Sequence, residues 1–222
     1  MAFYALHNES THQQPRQERI LNIPNIITFA RLLLIPIAFI LIVGEGSNIV
    51  AFFLFALAGL TDFIDGYIAR KTNTVTEFGK AIDPLVDRLL LACGVIALFA
   101  VGKLPLWILA FLIIRDAFLL SSVAIINRIT TVEVKIRMVG KIATTALLIG
   151  FAGLILGIGT VPQGLGWTTA QALPAFTAEP YLFWIWFVYL GLIFSLITAI
   201  AYTWDGIQLL KKTKAEQGPV AP

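Results

Sequence analysis

Four aspartates set the chemistry that this chain can do. They stand in the pattern Asp62-x-x-Asp65-Gly66-x-x-Ala69-Arg70, then eight residues, then Gly79-x-x-x-Asp83-x-x-x-Asp87. The chain around them is 58% hydrophobic. An ionisable side chain in such surroundings is costly and marks a functional site by default. Four charges of one sign also need compensation. Carboxylate oxygens suit hard divalent cations, so one or two Mg²⁺ or Mn²⁺ ions are expected on Asp62, Asp65, Asp83 and Asp87. Ions held that way would neutralise a diphosphate during group transfer.

The elements that carry these residues are apolar runs at 25–43, 49–69, 81–101, 104–127, 141–159 and 182–204. Each is about the 20 residues that cross a hydrocarbon layer of about 30 Å. The pattern predicts an all-α integral membrane protein with six transmembrane helices. The expected organisation is a disordered tail over 1–19, one membrane domain over 20–205 and a basic tail over 206–222. Placing both termini in the cytoplasm puts all but Lys103 of the 16 Lys and Arg residues inside or in the inward halves of helices. The net charge of +3 follows from that bias and predicts no nucleic-acid partner. The tail run Lys211-Lys212-x-Lys214 is expected to meet anionic membrane lipid. Cys93 is the only cysteine, which rules out an intrachain disulfide.

Helical rise brings the polar residues to one depth. Counted from the outer helix ends, Asp62 and Asp65 lie about 20 and 24 Å inward, and Asp87 and Asp83 about 21 and 27 Å. Arg31, Thr28 and Asn25 fall at about 18, 22 and 27 Å, and Arg115 at about 16 Å. Positions 62, 65, 66 and 69 share one helical stripe, and 83 and 87 share another. Gly66 and Ala69 would let a flat ligand approach the backbone. Other readings stay open for single residues. Asp83-Pro84 is also a helix-start signature, Asp62 or Asp65 could pair with Arg70 or Arg88, and Gly66 and Ala69 could be packing positions. Asn25, after Pro24, is expected to cap the first helix. The segment 160–181 reads as the least regular part, with Tyr181, Trp184, Trp186 and Tyr202 as interfacial aromatics.

The run Asp62-Phe63-Ile64-Asp65-Gly66-Tyr67-Ile68-Ala69-Arg70, the spacer, and Gly79-Lys80-Ala81-Ile82-Asp83-Pro84-Leu85-Val86-Asp87 resemble the signature of the CDP-alcohol phosphotransferase family at every specified position. Ile23-Pro24-Asn25-Ile26-Ile27-Thr28-Phe29-Ala30-Arg31 is similar to that family's opening to its first helix. The resemblance extends over roughly 20–205. It implies that a CDP-activated lipid, CDP-diacylglycerol, sits with its diphosphate on the metals while an alcohol attacks the phosphorus distal to cytidine and CMP leaves. It implies metal binding by Asp62, Asp65 and Asp83. Asp87 takes the place of a general base that also contacts a metal. Asn25, Thr28, Gly66, Ala69, Arg70, Thr76 and Gly79 match positions that bind the CDP-lipid. A homodimer is implied as well.

Asn22-Ile23-Pro24-Asn25, Arg115-Asp116 and Gly140-Lys141-x-x-Thr144 look most like enzymes of phosphatidylglycerol and cardiolipin biosynthesis. The expected acceptor is of the glycerol type, first sn-glycerol 3-phosphate and second phosphatidylglycerol. Arg115, Lys135, Arg137 and Lys141 would form a basic cup for its phosphate. For the last three, the positive-inside rule accounts equally well for the charge. A membrane prenyltransferase also holds diphosphate on aspartate-bearing helices, but without the Gly-x-x-Ala-Arg run. A transporter would show broken helices or internal symmetry, and neither is visible.

Overall fold

A computed structural model describes residues 23–44, 46–72, 77–129, 138–166 and 173–216. Its element order is α1 (Ile23–Val43), α2 (Asn48–Thr72), α3 (Glu77–Ala100), α4 (Leu106–Ile129), α5 (Met138–Leu156), β1 (Thr160–Val161), β2 (Tyr181–Leu182) and α6 (Ile185–Glu216). The six apolar runs thus correspond to six helices among the described residues. α1 packs along both α2 and α3, α5 lies between α6 and α2, and α4 meets α3 and α6. Met138–Leu156 and Ile185–Gln208 are long and apolar enough to cross a membrane, and Ile27–Val43 and Asn48–Thr61 are shorter apolar stretches.

Helix bounds differ from the apolar runs where polar residues continue a helix. α3 starts at Glu77, so Asp83 lies inside it and is not its N-cap. Pro84 then withholds one ladder hydrogen bond, a loss that neighbouring groups in helical bundles can make good. Asp83 and Asp87 therefore stay one turn apart on a continuous helix. Asn25 lies within the first turn of α1, not at its cap. α6 runs on to Glu216, which leaves Tyr202 well inside the helix and carries helix into the segment expected as a tail.

The end of the bundle near Lys103 is closed by local chemistry. Gly102 has φ +71°. Its N–H donates to the Phe99 carbonyl at 2.9 Å, and the Lys103 N–H donates to that of Leu98 at 2.9 Å. This is the paired bonding of a Schellman end, which needs a left-handed residue and so favours glycine. The Lys103 ammonium donates to the Leu154 carbonyl at 2.8 Å and to that of Ile155 at 3.3 Å. It thereby occupies carbonyls that the last turn of α5 leaves without helical partners. The segment expected to be irregular contains an antiparallel pairing of β1 with β2, Thr160 opposite Leu182 and Val161 opposite Tyr181. The Tyr189 hydroxyl donates to the Pro174 carbonyl at 2.8 Å, and the Trp184 indole N–H to that of Ile158 at 2.7 Å. Phe176, Trp186 and Tyr189 pack edge to face, and Trp107 of α4 stacks on Tyr189 of α6.

The core is a seam of Ile35, Phe55, Val86, Leu90, Leu98, Ile108, Leu147, Phe151 and Val188, each almost fully enclosed. Small residues set the closest approach, between α5 and α6. A Cβ built on Gly150 would lie 2.7 Å from Val188 Cγ2 and 2.9 Å from the Val188 backbone nitrogen. Since that neighbour is backbone, the helices themselves must separate to admit it. Gly150→Leu is expected to cost about 1–3 kcal/mol, the usual range for overpacking. Thermal unfolding in detergent should show the lowered midpoint. An unchanged midpoint would show that α5 and α6 do not meet at this position.

Candidate functional site

On α1, Thr28, Arg31, Ile35, Ala38 and Ile42 are all buried. Their spacing of three and four residues is that of a single core-facing stripe. Arg31 therefore occupies a slot filled elsewhere in the stripe by aliphatic side chains, and only 1% of it is exposed. Its Nη1 donates to Asp87 Oδ1 at 3.2 Å, and its Nε to Thr61 Oγ1 at 3.4 Å. The Thr61 hydroxyl in turn donates to the Ala58 carbonyl at 3.0 Å. One guanidinium thus touches α2 at the residue before Asp62 and α3 at Asp87. The Asp87 side chain remains 43% exposed. Exposure and the ion pair thus coexist on this side chain. The contact also agrees with the matching depths of Arg31 and Asp87 inferred from helical rise.

A second ionic cluster joins α3 to α4. Arg88 Nη1 donates to Asp116 Oδ1 at 2.5 Å, and Arg115 Nη1 donates to the same oxygen at 2.6 Å. Arg115 lies on the buried stripe Ile108-Leu112-Arg115-Leu119. Its side chain is 4% exposed, against 28% for Arg88 and 15% for Asp116. Arg115 Nε is buried with no partner. Asp116, next to Arg115 in the chain, is thus the shared partner of Arg115 and Arg88.

The remaining candidates are placed as follows. Asp62, Asp65, Gly66, Ala69 and Arg70 fall on α2, Gly79 and Asp83 on α3, and Asn25 on α1. Their helices and spacing alone place them, since Asp87 is the one aspartate of the four whose side chain the structure describes. Thr28 is buried on α1 and Lys141 is exposed near the start of α5. Thr76, Lys135 and Arg137 lie outside the described residues. Sequence reasoning placed Arg31 at the right depth but missed its pairing with Asp87, and it missed Arg88 as the third member of the Asp116 cluster. The Thr28–Ile42 stripe was the available signal for Arg31, because a guanidinium in a core-facing stripe must have a carboxylate within reach.

A family model described as CDP-alcohol phosphatidyltransferase matches residues 21–197. The chain belongs to the CDP-alcohol phosphatidyltransferase family. It is 39% identical over 149 residues to the CDP-diacylglycerol–glycerol-3-phosphate 3-phosphatidyltransferase of Bacillus subtilis, covering 61% of this chain and 77% of that one. It is 34% identical over 160 residues to the CMP-forming cardiolipin synthase of Streptomyces coelicolor, covering 70% and 72%. A Rickettsia typhi protein with the same name as the Bacillus one is 38% identical over 141 residues, covering 61% and 77%. The matched span runs from the start of α1 to within α6, so it includes both ionic clusters of this phosphatidyltransferase.

Removing Asp116 from this family member would leave two guanidiniums facing each other across an apolar interface. Stranding a buried charge typically costs about 3–5 kcal/mol. Asp116→Ala should therefore lower the unfolding midpoint sharply, and Asp116→Ala with Arg115→Met should recover part of the loss. Equal midpoints for wild type and Asp116→Ala would show that the cluster does not hold α3 to α4.

Proposed function

We propose that this chain is an integral membrane enzyme that transfers a phosphatidyl group from CDP-diacylglycerol to a glycerol-type acceptor and releases CMP. The observation that carries this reading is the full family signature set on α2 and α3, with Asp87 held by a buried arginine and still exposed on its other side. The acceptor oxygen forms a new bond to the phosphorus that carries the diacylglycerol. The bond from that phosphorus to the CMP oxygen breaks, and CMP leaves with the electron pair. The acceptor's hydroxyl proton passes to the Asp87 carboxylate. A carboxylate of ordinary strength is a weak base for an alcohol, so positioning and electrostatics carry most of the acceleration.

An all-carboxylate donor set on helical i, i+3 and i, i+4 pairs fits a hard divalent cation. Asp62, Asp65, Asp83 and Asp87 would hold Mg²⁺ or Mn²⁺, as one or two ions, and the bound charge would neutralise the diphosphate. Gly66, Ala69, Arg70 and Gly79, with Asn25, Thr28 and Thr76, would receive the CDP-lipid. Six membrane spans with both termini in the cytoplasm, and a homodimer in a bacterial membrane, complete the reading. Its support is the apolar outer surface. Leu33, Ile40, Phe53, Leu85, Ile114 and Ile200, from five different helices, are each 61–68% exposed. That is far more apolar exposure than a water-soluble monomer presents.

For the acceptor we favour sn-glycerol 3-phosphate, the substrate named for the Bacillus relative. Arg88 and Arg115 share one carboxylate, so the cluster keeps an excess positive charge for a phosphate, and Arg88 follows Asp87 on α3. Arg115 lies deeper, so Arg88 would meet the acceptor first, with Lys135, Arg137 and Lys141 as further candidates. Phosphatidylglycerol, giving cardiolipin, is the second reading. It is favoured by the Streptomyces relative, whose match covers the larger share of this chain.

The deciding assay gives the purified protein CDP-diacylglycerol and one labelled acceptor at a time. Phosphatidylglycerophosphate from glycerol 3-phosphate is the expected product. Cardiolipin from phosphatidylglycerol, with glycerol 3-phosphate inert, would transfer the assignment to the second reading. CMP release with neither acceptor would overturn both.

Metal dependence gives an independent check. Asp62→Asn and Asp83→Asn each remove a charged donor and should lower kcat by at least about 10³-fold while the protein still inserts. Chelation should do the same reversibly. Native turnover in either variant, or after exhaustive chelation, would refute the metal assignment.

A further inference from the structure

Arg31 sits where its helix has no need of a charge. The stripe Thr28, Arg31, Ile35, Ala38, Ile42 packs α1 against α2 and α3. An aliphatic side chain would fill position 31 without desolvating a guanidinium. Buried ion pairs often contribute no more stability than a well-packed apolar replacement. Stability alone therefore does not call for an arginine here.

A guanidinium is a planar fork with donors in fixed directions. In Arg31 one branch, Nη1, ends on Asp87 Oδ1 at 3.2 Å, while Nε ends on Thr61 Oγ1 at 3.4 Å. Thr61 is itself tied to the Ala58 carbonyl at 3.0 Å, so the second contact is to an oriented hydroxyl. The Arg31 side chain is fully enclosed, whereas the Asp87 side chain keeps 43% of its surface open. The fork is thus fixed on its inner side and presents the carboxylate outward. It also sets the register of α2 against α3 one residue from Asp62. In a transfer whose rate depends on placement, a shift of about 1 Å can cost about 100-fold.

We propose that Arg31 is a positioning residue for the phosphatidyl transfer. It holds Asp87 in the orientation that meets the acceptor hydroxyl and couples that orientation to the α2 segment carrying Asp62. The inference rests on the transferase reading above and adds a residue that acts through Asp87.

The test uses the full-length protein in phospholipid–detergent micelles with CDP-diacylglycerol, Mn²⁺ and the acceptor that supports CMP release. Arg31→Lys keeps the charge and loses the fork. It should fold, lower kcat roughly 10- to 100-fold, and move the KM for CDP-diacylglycerol and for the acceptor by less than about threefold. Arg31→Met should lower kcat further. In an Asp87→Asn background, either Arg31 change should lower residual kcat by a clearly smaller factor than in the wild type, because the carboxylate that Arg31 orients is gone. Where that background turns over too slowly to read, unfolding midpoints replace kcat. The effect of Arg31→Met on the midpoint should then differ between the wild-type and Asp87→Asn backgrounds, as it must where the two side chains pair. If Arg31→Met fails to fold, Arg31→Lys carries the test alone.

Wild-type kcat in a folded Arg31→Lys variant would overturn the role. So would losses that multiply in full in the Asp87→Asn background, or a drop confined to KM. Failure of the unmodified protein to release CMP with any acceptor would overturn the transferase reading, and the role given to Arg31 with it. The wild-type control therefore separates the two failures.

Discussion

Charge enclosed in an apolar bundle has to be met by opposite charge, and α3 is where this chain meets it twice. Asp87 and Arg88 are consecutive and so point about 100° apart around the helix. Asp87 reaches the buried Arg31 of α1, while Arg88 reaches Asp116 of α4, which Arg115 also holds. A single turn of α3 thus ties α1 and the middle of α4 to itself. Each contact sets the register of α3 against a neighbouring helix. Apolar packing alone specifies such a register weakly, because aliphatic side chains substitute for one another with small losses. The ion pairs add a directional contact to that packing, and Asp87 belongs to one of them.

The half of the bundle around Lys103 is organised by different means. Glycines 150 and 191 let α5 and α6 approach until backbone meets side chain. The aromatic group of Trp107, Phe176, Trp186 and Tyr189 joins α4 to α6 and to the loop between α5 and α6. Lys103 is the one basic residue that the positive-inside pattern leaves at this end. Its ammonium sits on the last carbonyls of α5, where a positive charge is favoured. This half carries no residue of the family signature.

Much of this was legible in the sequence, and the limits were physical. The six helices followed from apolar runs, and their ends did not, because a helix continues into polar residues wherever nothing stops it. Asp83-Pro84 shows the difficulty. Locally it is a good helix start, yet α3 is already helical from Glu77, and the pair lies in its interior. The aspartates were legible because their spacing is local to two helices. The Arg31–Asp87 pair spans 56 positions and Arg88–Asp116 spans 28, separations that no periodicity within one helix reports. Depth counting came closest, putting Arg31 and Asp87 in one layer without saying that they touch. The β1–β2 pairing was missed for a related reason. Two residues a side give no alternation to read, and aromatics from distant segments hold the loop.

The Asp116 cluster bears on how an acceptor is chosen. Two guanidiniums donate to one carboxylate oxygen, so these three groups carry one net positive charge. In surroundings of low polarity an unmatched charge is unfavourable until an anion arrives. Glycerol 3-phosphate and phosphatidylglycerol each bring a phosphate, and the cluster would attract either. Charge therefore supports a phosphate-bearing glycerol acceptor over a neutral polyol but cannot rank the two. What separates them is the other end of the molecule. Glycerol 3-phosphate is small and approaches from water, whereas phosphatidylglycerol must bring two acyl chains alongside the bundle. Selection between them then depends on whether the path to Arg88 and Asp87 opens toward water or toward lipid. That is a property of the inner helix ends and their connections, set by shape rather than by charge.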